Sequence, residues 1–206
     1  MAKLLLATHN KGKITEFRQM LAGTIPNLNP EVDVISAADV GAPEPVEDGI
    51  TFKENALIKA RAIAKYSGLP VIADDSGLEV DVLNGMPGIF SARWSGEHAG
   101  GPEHVKLLLR QISDVKDEYR SAQFHCCAVL VTPEGKEYIE HGLMKGEIIR
   151  ESRGTEGFGY DPIFIPDGYD KTNAELTAEE KNEISHRGKA LKAILPKVHE
   201  VLESHK

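Results

Sequence analysis

Pro70-Val71-Ile72-Ala73-Asp74-Asp75-Ser76-Gly77 decides the reading of this chain, because a short apolar run ends there in two carboxylates. Bounded by Gly68 before and Gly77 after, the run reads as a buried strand leading into a tight turn. Open α/β sheets bind ligands outside the carboxyl ends of their strands. Successive side chains on a strand alternate faces, so Asp74 and Asp75 cannot point the same way while the strand continues. Asp75, beside the turn, is expected to enter a site, where a carboxylate can hold a divalent cation or take a proton from water. An Asp at a strand end also has a plain structural use, accepting hydrogen bonds from its own turn.

Outward from this strand, helical and extended patterns alternate. Lys3–Ala7 reads as a first strand, Thr8–Gly12 as a loop, and Lys13–Ala22 as a helix with Ile14, Phe17 and Leu21 on one face. Val32–Ile35 reads as a second strand. An acidic, Pro-containing loop, Ala42–Gly49, precedes a helix over Thr51–Tyr66, where Thr51 and Glu54 have capping-box spacing and Lys53, Lys59, Arg61 and Lys65 supply positive charge. After the Asp75 strand come a Gly-rich stretch, Gly85–Gly101, and a helix over Glu103–Ile112. Two long β-rich runs, Ala122–Thr132 and Glu137–Ile149, flank the turn signal Pro133-Glu134-Gly135 and read as a hairpin. A Gly/Pro loop over Gly154–Pro166, a helix start near Thr177 and a last helix over Gly188–Leu202 complete the chain. The pattern predicts an α/β fold, with a mixed central sheet containing a long hairpin, flanking helices and a ligand cleft at the strand ends.

Bulk properties narrow the function classes. A chain of 206 residues, 41% hydrophobic and 27% charged, suits one soluble domain spanning 1–206 with a sizeable core. The net charge of −8 argues against a nucleic-acid partner, since binding to DNA or RNA rests on Lys and Arg against phosphates. An anionic ligand must therefore meet a local basic cluster. Cys126 and Cys127 are adjacent and offer neither a disulfide framework nor zinc spacing, which fits a reducing, cytoplasmic setting. The apolar stretch Leu4–Ala7 is too short for a signal peptide, and no run approaches the length of a membrane span.

Three loops carry residue types suited to nucleotide chemistry. Thr8-His9-Asn10-Lys11-Gly12-Lys13 lies between a strand and a helix, where backbone N–H groups and the helix dipole favour a phosphate. It is not a Walker A loop, and G-x-x-x-x-G-K-[ST] is absent throughout. Gly157-Phe158-Gly159-Tyr160-Asp161-Pro162 can turn sharply and present Phe158 or Tyr160 as a flat face for a base, or simply anchor a turn in the core. Ser185-His186-Arg187-Gly188, preceded by Lys181, offers an imidazole and a guanidinium that can donate to an oxygen-rich group, or a solvated helix junction.

Together these stretches resemble the inosine triphosphate pyrophosphatase family, the XTP/dITP diphosphatases. The resemblance rests on six ordered motifs: Thr8-x-Asn10-x-x-Lys13-x-x-Glu16; Glu47-x-Gly49-x-Thr51-Phe52-x-x-Asn55-Ala56-x-x-Lys59-Ala60; Ala73-Asp74-Asp75-Ser76-Gly77-Leu78; Pro87-Gly88-x-x-Ser91-Ala92-Arg93; Gly157-Phe158-Gly159-Tyr160-Asp161-Pro162; and Ser185-His186-Arg187-Gly188. His9 stands at a variable position. The resemblance implies Mg²⁺-dependent hydrolysis of deaminated purine nucleoside triphosphates to monophosphate and pyrophosphate by a homodimer. It further implies that Thr8, His9, Asn10, Lys11, Gly12 and Lys13 cradle the triphosphate, with Lys59 as a further phosphate ligand. Glu47, chosen over its neighbour Asp48, and Asp75 would hold Mg²⁺, with Asp75 also the general base and Ser76 touching substrate. Phe158 would stack on the purine, Gly159, Tyr160 and Asp161 would shape its pocket, Lys181 would contact the nucleotide, and His186 with Arg187 would read the base edge.

Two other readings differ in specific residues. A Maf-type pyrophosphatase has a Ser/Arg-rich first loop, where this chain has Asn10 and Lys13. A nucleotide-binding module without catalysis has little use for Glu47, Asp74 and Asp75, since a binder of polyanions does not gather carboxylates.

Overall fold

In the structure, a computed structural model, residues 3–8, 11–26, 28–96 and 100–204 are described. The strands are β1 (Leu4–Leu6), β2 (Val34–Ser36), β3 (Val71–Val80), β4 (Met86–Pro87), β5 (Ser121–Val131), β6 (Glu137–Ile148) and β7 (Phe164–Pro166). The helices are α1 (Lys11–Leu21), α2 (Pro30–Asp33), α3 (Phe52–Ser67), α4 (Gly101–Gln111), α5 (Ala178–Ile184) and α6 (His186–Ser204). A mixed seven-stranded sheet follows the order β2-β1-β3-β5-β6-β7, with β4 on β3. The expected mixed α/β architecture is thus present. The chain divides into two compact units, one of Met1–Asp75, Cys127–His141 and Ala190–Lys206, the other of Ser76–Cys126 and Gly142–Lys189.

In the first unit, β1 pairs in parallel with both β2 and β3, Leu4 opposite Val34 and Leu5 opposite Val71. Leu4, Leu5 and Leu6 are all buried, as expected of a parallel strand covered on both faces. Phe17 and Leu21, one helical turn apart on α1, enter the core from one side. Thr51 caps α3 by accepting from the Glu54 N–H at 3.1 Å, and Phe52, Ala56, Ala60 and Ile63 form its buried stripe. On α6, Leu191, Ile194, Val198 and Leu202 play the same part.

In the second unit, Leu78, Val80, Leu108, Phe124, Ile148 and Phe164 build the core. Arg120 is buried within it, and its guanidinium donates to the carbonyls of Ile112 (2.7 Å), Ile148 (2.7 Å) and Ile149 (3.1 Å). A buried charge survives when its donors are met, and here they tie the end of α4 to the end of β6.

Four sequence expectations need correction. β3 does not stop at Ala73 in a turn: it runs on to Val80, because Leu78 and Val80 are fully buried and Glu79 pairs with Pro87 of β4. Val32 and Asp33 belong to α2 and not to a strand, since Asn29 caps the helix by accepting from the Glu31 N–H and Pro30 opens it. The Gly154–Pro166 segment is not all loop: Phe164–Pro166 forms β7, antiparallel to β6. The last helix starts at His186, ahead of Gly188. The expected hairpin turn at Pro133-Glu134-Gly135 is present, closed by the Gly135 N–H to the Thr132 carbonyl at 2.9 Å.

Cys126 and Cys127 are both buried on β5, and neither forms a disulfide. Burial, aided by the Asp75 carboxylate, pushes the Cys127 thiol up to about 11. Among the described residues, no helix is long and apolar enough to cross a membrane.

Candidate functional site

In the first unit, β3 delivers its two aspartates to different helices, as alternation requires. Asp74 accepts from the Lys13 ammonium on α1 at 3.0 and 3.2 Å. Asp75 belongs to α3: its Oδ2 accepts from the Asn55 amide at 3.1 Å, and its Oδ1 lies 3.7 Å from the Lys59 ammonium. Asn55 and Lys59 are four residues apart on one helix and so share a face. The same ammonium donates to Glu47 Oε2 at 3.1 Å, while the neighbouring Asp48 is exposed. Glu47 and Asp75 therefore converge on one cation.

The loop that carries Glu47 is fixed by hydrogen bonds to the start of α3. The Gly49 N–H donates to Asn55 Oδ1 at 2.9 Å, and the Ile50 N–H donates to Glu54 Oε2 at 2.7 Å. A Cβ on Gly49 would stand 2.7 Å from Asn55 Oδ1, so only glycine allows this approach. The completely buried Asn55 thus links the Glu47 loop to Asp75. Replacing Asn55 with Leu would leave the Gly49 N–H and an oxygen of Asp75 without this partner. The expected cost is about 1–3 kcal/mol, read as a melting temperature lower by roughly 2–10 °C.

Charge balance in this cluster is specific. Burial raises the Asp75 carboxyl above its ordinary range, and Lys59 opposes the rise without cancelling it. For Lys59, burial alone would lower the ammonium, but Asp75, Asp74 and Glu47 together outweigh it and hold the group above its usual range. Among the described residues, no group of three or more His, Cys, Asp or Glu gathers as a metal cage. Two carboxylate oxygens aimed at one point are nonetheless the hard donor set that Mg²⁺ takes from protein, the remainder coming from phosphates and water.

In the second unit, Gly157-Phe158-Gly159-Tyr160-Asp161 is organised by the carboxylate of Asp161, which is only 3% exposed. That carboxylate accepts from the Phe158 N–H (2.8 Å), the Lys181 ammonium (2.6 Å) and the Asn173 amide (3.1 Å). Gly157 adopts φ +75°, and a Cβ there would collide with Asp161 Oδ2. The loop leaves Phe158 65% exposed, with Lys181 Nζ 4.9 Å and the Arg187 guanidinium 5.9 Å from its ring centroid. An exposed aromatic face flanked by two cations is a stacking platform for an electron-rich ring. A largely apolar cavity of about 700 Å³ lies against the same loop, lined by Val105, Leu109, Phe158 and Gly159 among others.

Tyr160 differs from Phe158. It is buried, and its hydroxyl donates to the Ser91 carbonyl at 3.0 Å, so it anchors the loop and does not offer a flat face to a ligand. His186, 7% exposed, stacks on Phe124 with centroids 5.0 Å apart, and Phe124 packs edge-on against Phe164. The residue expected to read a base edge is thus mounted on the core.

In the first unit the structure brings Glu47, Lys59 and Asp75 together and pairs Lys13 with Asp74; in the second it brings Phe158, Gly159, Asp161, Lys181 and Arg187 together and packs His186 on Phe124. Thr8 follows β1, and Ser76 continues β3 after Asp75, half-buried. Lys11 and Gly12, expected in a loop, form the first residues of α1, whose opening N–H groups have no intrahelical acceptor. His9 and Asn10 lie outside the described residues. Asn55 and Asn173, partners of the site carboxylates, are not among the site residues the sequence predicts. The signal for Asn55 was present, an amide one turn before Lys59 within an apolar helix stripe. Asn173 carried none, because its role arises only from tertiary contact.

The sequence profile of the Ham1 family matches residues 4–197. This chain belongs to the Ham1 family. A relative from Streptomyces coelicolor, named dITP/XTP pyrophosphatase, is 53% identical over 204 residues, covering 98% of this chain and 100% of its own length. The structure of a HAM1 protein from Coxiella burnetii superposes with a TM-score of 0.87 at 42% identity, covering 99% of this chain and 100% of that one. A nucleoside-triphosphatase or dITP/XTP pyrophosphatase from Mycobacterium abscessus gives a TM-score of 0.78 at 50% identity, over 94% and 99% of the two chains. Ham1 membership agrees with the resemblance carried by the six motifs.

Proposed function

We propose that this Ham1 chain hydrolyses deaminated purine nucleoside triphosphates, dITP or ITP and XTP or dXTP, to monophosphate and pyrophosphate, as a Mg²⁺-dependent homodimer that keeps these bases out of DNA and RNA. The observation that carries the reading is the convergence of Glu47 and Asp75 on one cation in a chain half-identical to proteins named for this activity. Triphosphate hydrolysis requires charge neutralisation and an oriented water more than covalent chemistry.

Thr8 to Lys13 bring the N-terminus of α1 and an ammonium to the phosphates. Glu47 and Asp75 hold Mg²⁺, which when bound neutralises phosphate charge. Asp75, raised by burial, takes a proton from water as the water oxygen bonds to phosphorus and the α–β bridge breaks. Lys59 adds positive charge where negative charge develops, and Ser76 touches substrate. Phe158 stacks on the purine, while Gly159, Tyr160 and Asp161 fix the loop and Lys181 contacts the nucleotide. Hypoxanthine and xanthine carry an oxygen at C6 where adenine carries an amino group. Donors from His186 and Arg187 pair with that oxygen, and adenine leaves them unmet, which discriminates strongly.

The test is product analysis with dITP, XTP, dATP, dGTP and dTTP, with and without Mg²⁺. Monophosphate and pyrophosphate from dITP and XTP alone, and only with metal, is the expected result. Strong turnover of dTTP, or release of single phosphates, would replace the reading with another hydrolase. Within it, Arg187→Ala should reduce the preference for dITP over dATP by about tenfold or more, while Lys13→Ala should slow both nucleotides alike. Equal selectivity in the two variants would remove Arg187 from base recognition.

A further inference from the structure

The Lys59 ammonium occupies the place that a cation shared by Glu47 and Asp75 would take. Asn55 engages Asp75 Oδ2, which leaves Oδ1 facing Lys59, whose ammonium lies 3.7 Å from it and 3.1 Å from Glu47 Oε2. We propose that Lys59 is the resting counter-ion of this carboxylate pair, and that a divalent cation must displace it, so that cation and triphosphate bind as a coupled pair. The inference rests on the metal reading of the preceding section.

The physical argument concerns charge at close range. A divalent ion bound to both carboxylates sits roughly 2.1 Å from their oxygens. An ammonium hydrogen-bonded to Glu47 Oε2 and 3.7 Å from Asp75 Oδ1 would then lie within about 5 Å of it, where like charges repel strongly. The Lys59 side chain is 12% exposed, and its four-carbon stem can turn the ammonium elsewhere while α3 stays fixed by its Thr51 cap. Once displaced, the ammonium gives up its hydrogen bond to Glu47. A phosphate oxygen supplies another acceptor. Cation binding alone therefore costs the ion pair, whereas cation with triphosphate restores it at a new partner. Such coupling is reciprocal, so each ligand must strengthen the other.

The experiment measures Mn²⁺ binding by electron paramagnetic resonance, with Mn²⁺ alone and with a non-hydrolysable α,β-imido analogue of dITP. Wild-type protein is compared with Lys59→Met and Lys59→Arg, each first checked for a wild-type melting transition. Lys59→Met should bind Mn²⁺ alone at least about tenfold more tightly than wild type, because a full positive charge has left the site. It should also hydrolyse dITP more slowly, and the analogue should strengthen its Mn²⁺ binding less than it does in wild type. Lys59→Arg keeps the charge and should bind Mn²⁺ alone as weakly as wild type, which keeps the test decisive if Lys59→Met does not fold. Equal or weaker binding of Mn²⁺ alone by Lys59→Met, a gain by Lys59→Arg, or undiminished coupling in Lys59→Met would overturn the inference. Wild-type protein that turns over dITP without metal and binds no Mn²⁺ even with the analogue would instead overturn the metal reading beneath it.

Discussion

Asp75→Asn should cut pyrophosphate release from dITP by about a thousandfold or more, while the melting temperature stays within a few degrees of wild type. The two halves of this expectation have one origin. Burial disfavours the charged carboxylate, so a neutral amide of the same shape relieves a cost even as it leaves Lys59 with Glu47 as its nearer partner. The Asn55 amide that now donates to Oδ2 still finds an acceptor if the new side chain presents its oxygen there. Chemistry suffers because an amide neither accepts a proton from water nor contributes charge to a cation. Residual turnover within tenfold of wild type, with the fold intact by circular dichroism, would remove Asp75 from the role of base.

Asp161→Ala should be the most damaging change in the second unit. One carboxylate there satisfies a backbone N–H, an ammonium and an amide, and all three lose it at once. Removing one partner of a buried, hydrogen-bonded ion pair costs about 3–5 kcal/mol, or a melting temperature lower by roughly 10 °C in a chain of this size. The kinetic signature should be a rise of about tenfold or more in KM for dITP with a smaller fall in kcat. Both effects follow from releasing Phe158 and Lys181 together, while Glu47 and Asp75 keep their own partners. Unfolding curves and steady-state kinetics on the same preparation check them, and an unchanged KM would deny Asp161 its hold on the loop.

How legible these features were in the sequence depended on whether their cause is local. The Thr51 cap, the Pro133-Glu134-Gly135 reversal and the apolar stripe of α3 were readable because each is fixed by a few neighbouring residues. Asn29-Pro30 carries an equally local helix-start signal, which prevails over the extended pattern of the apolar Val32 and Val34 at Val32 and Asp33. Gly77 reads as a turn residue, but the alternation of Leu78, Glu79 and Val80 marks a continuing strand whose ladder overrides one glycine. Glu47, Lys59, Asp75 and Phe158 were found through their motifs, and the structure gives each a specific partner or exposure. Residue type alone does not divide labour within a motif, although the resemblance assigns the purine to Phe158. Phe158 and Tyr160 are two residues apart in one Gly-rich loop, and packing shows that one faces outward while the other is anchored to Ser91.

Cys126 and Cys127 also make the chain its own gauge of integrity. A thiol near 11 is ionised in only about one molecule in a thousand at pH 8, and burial shields both sulfurs from reagents. A maleimide dye should therefore leave the native protein dark and label it only as it opens, so labelling rate against denaturant would report unfolding without an engineered probe.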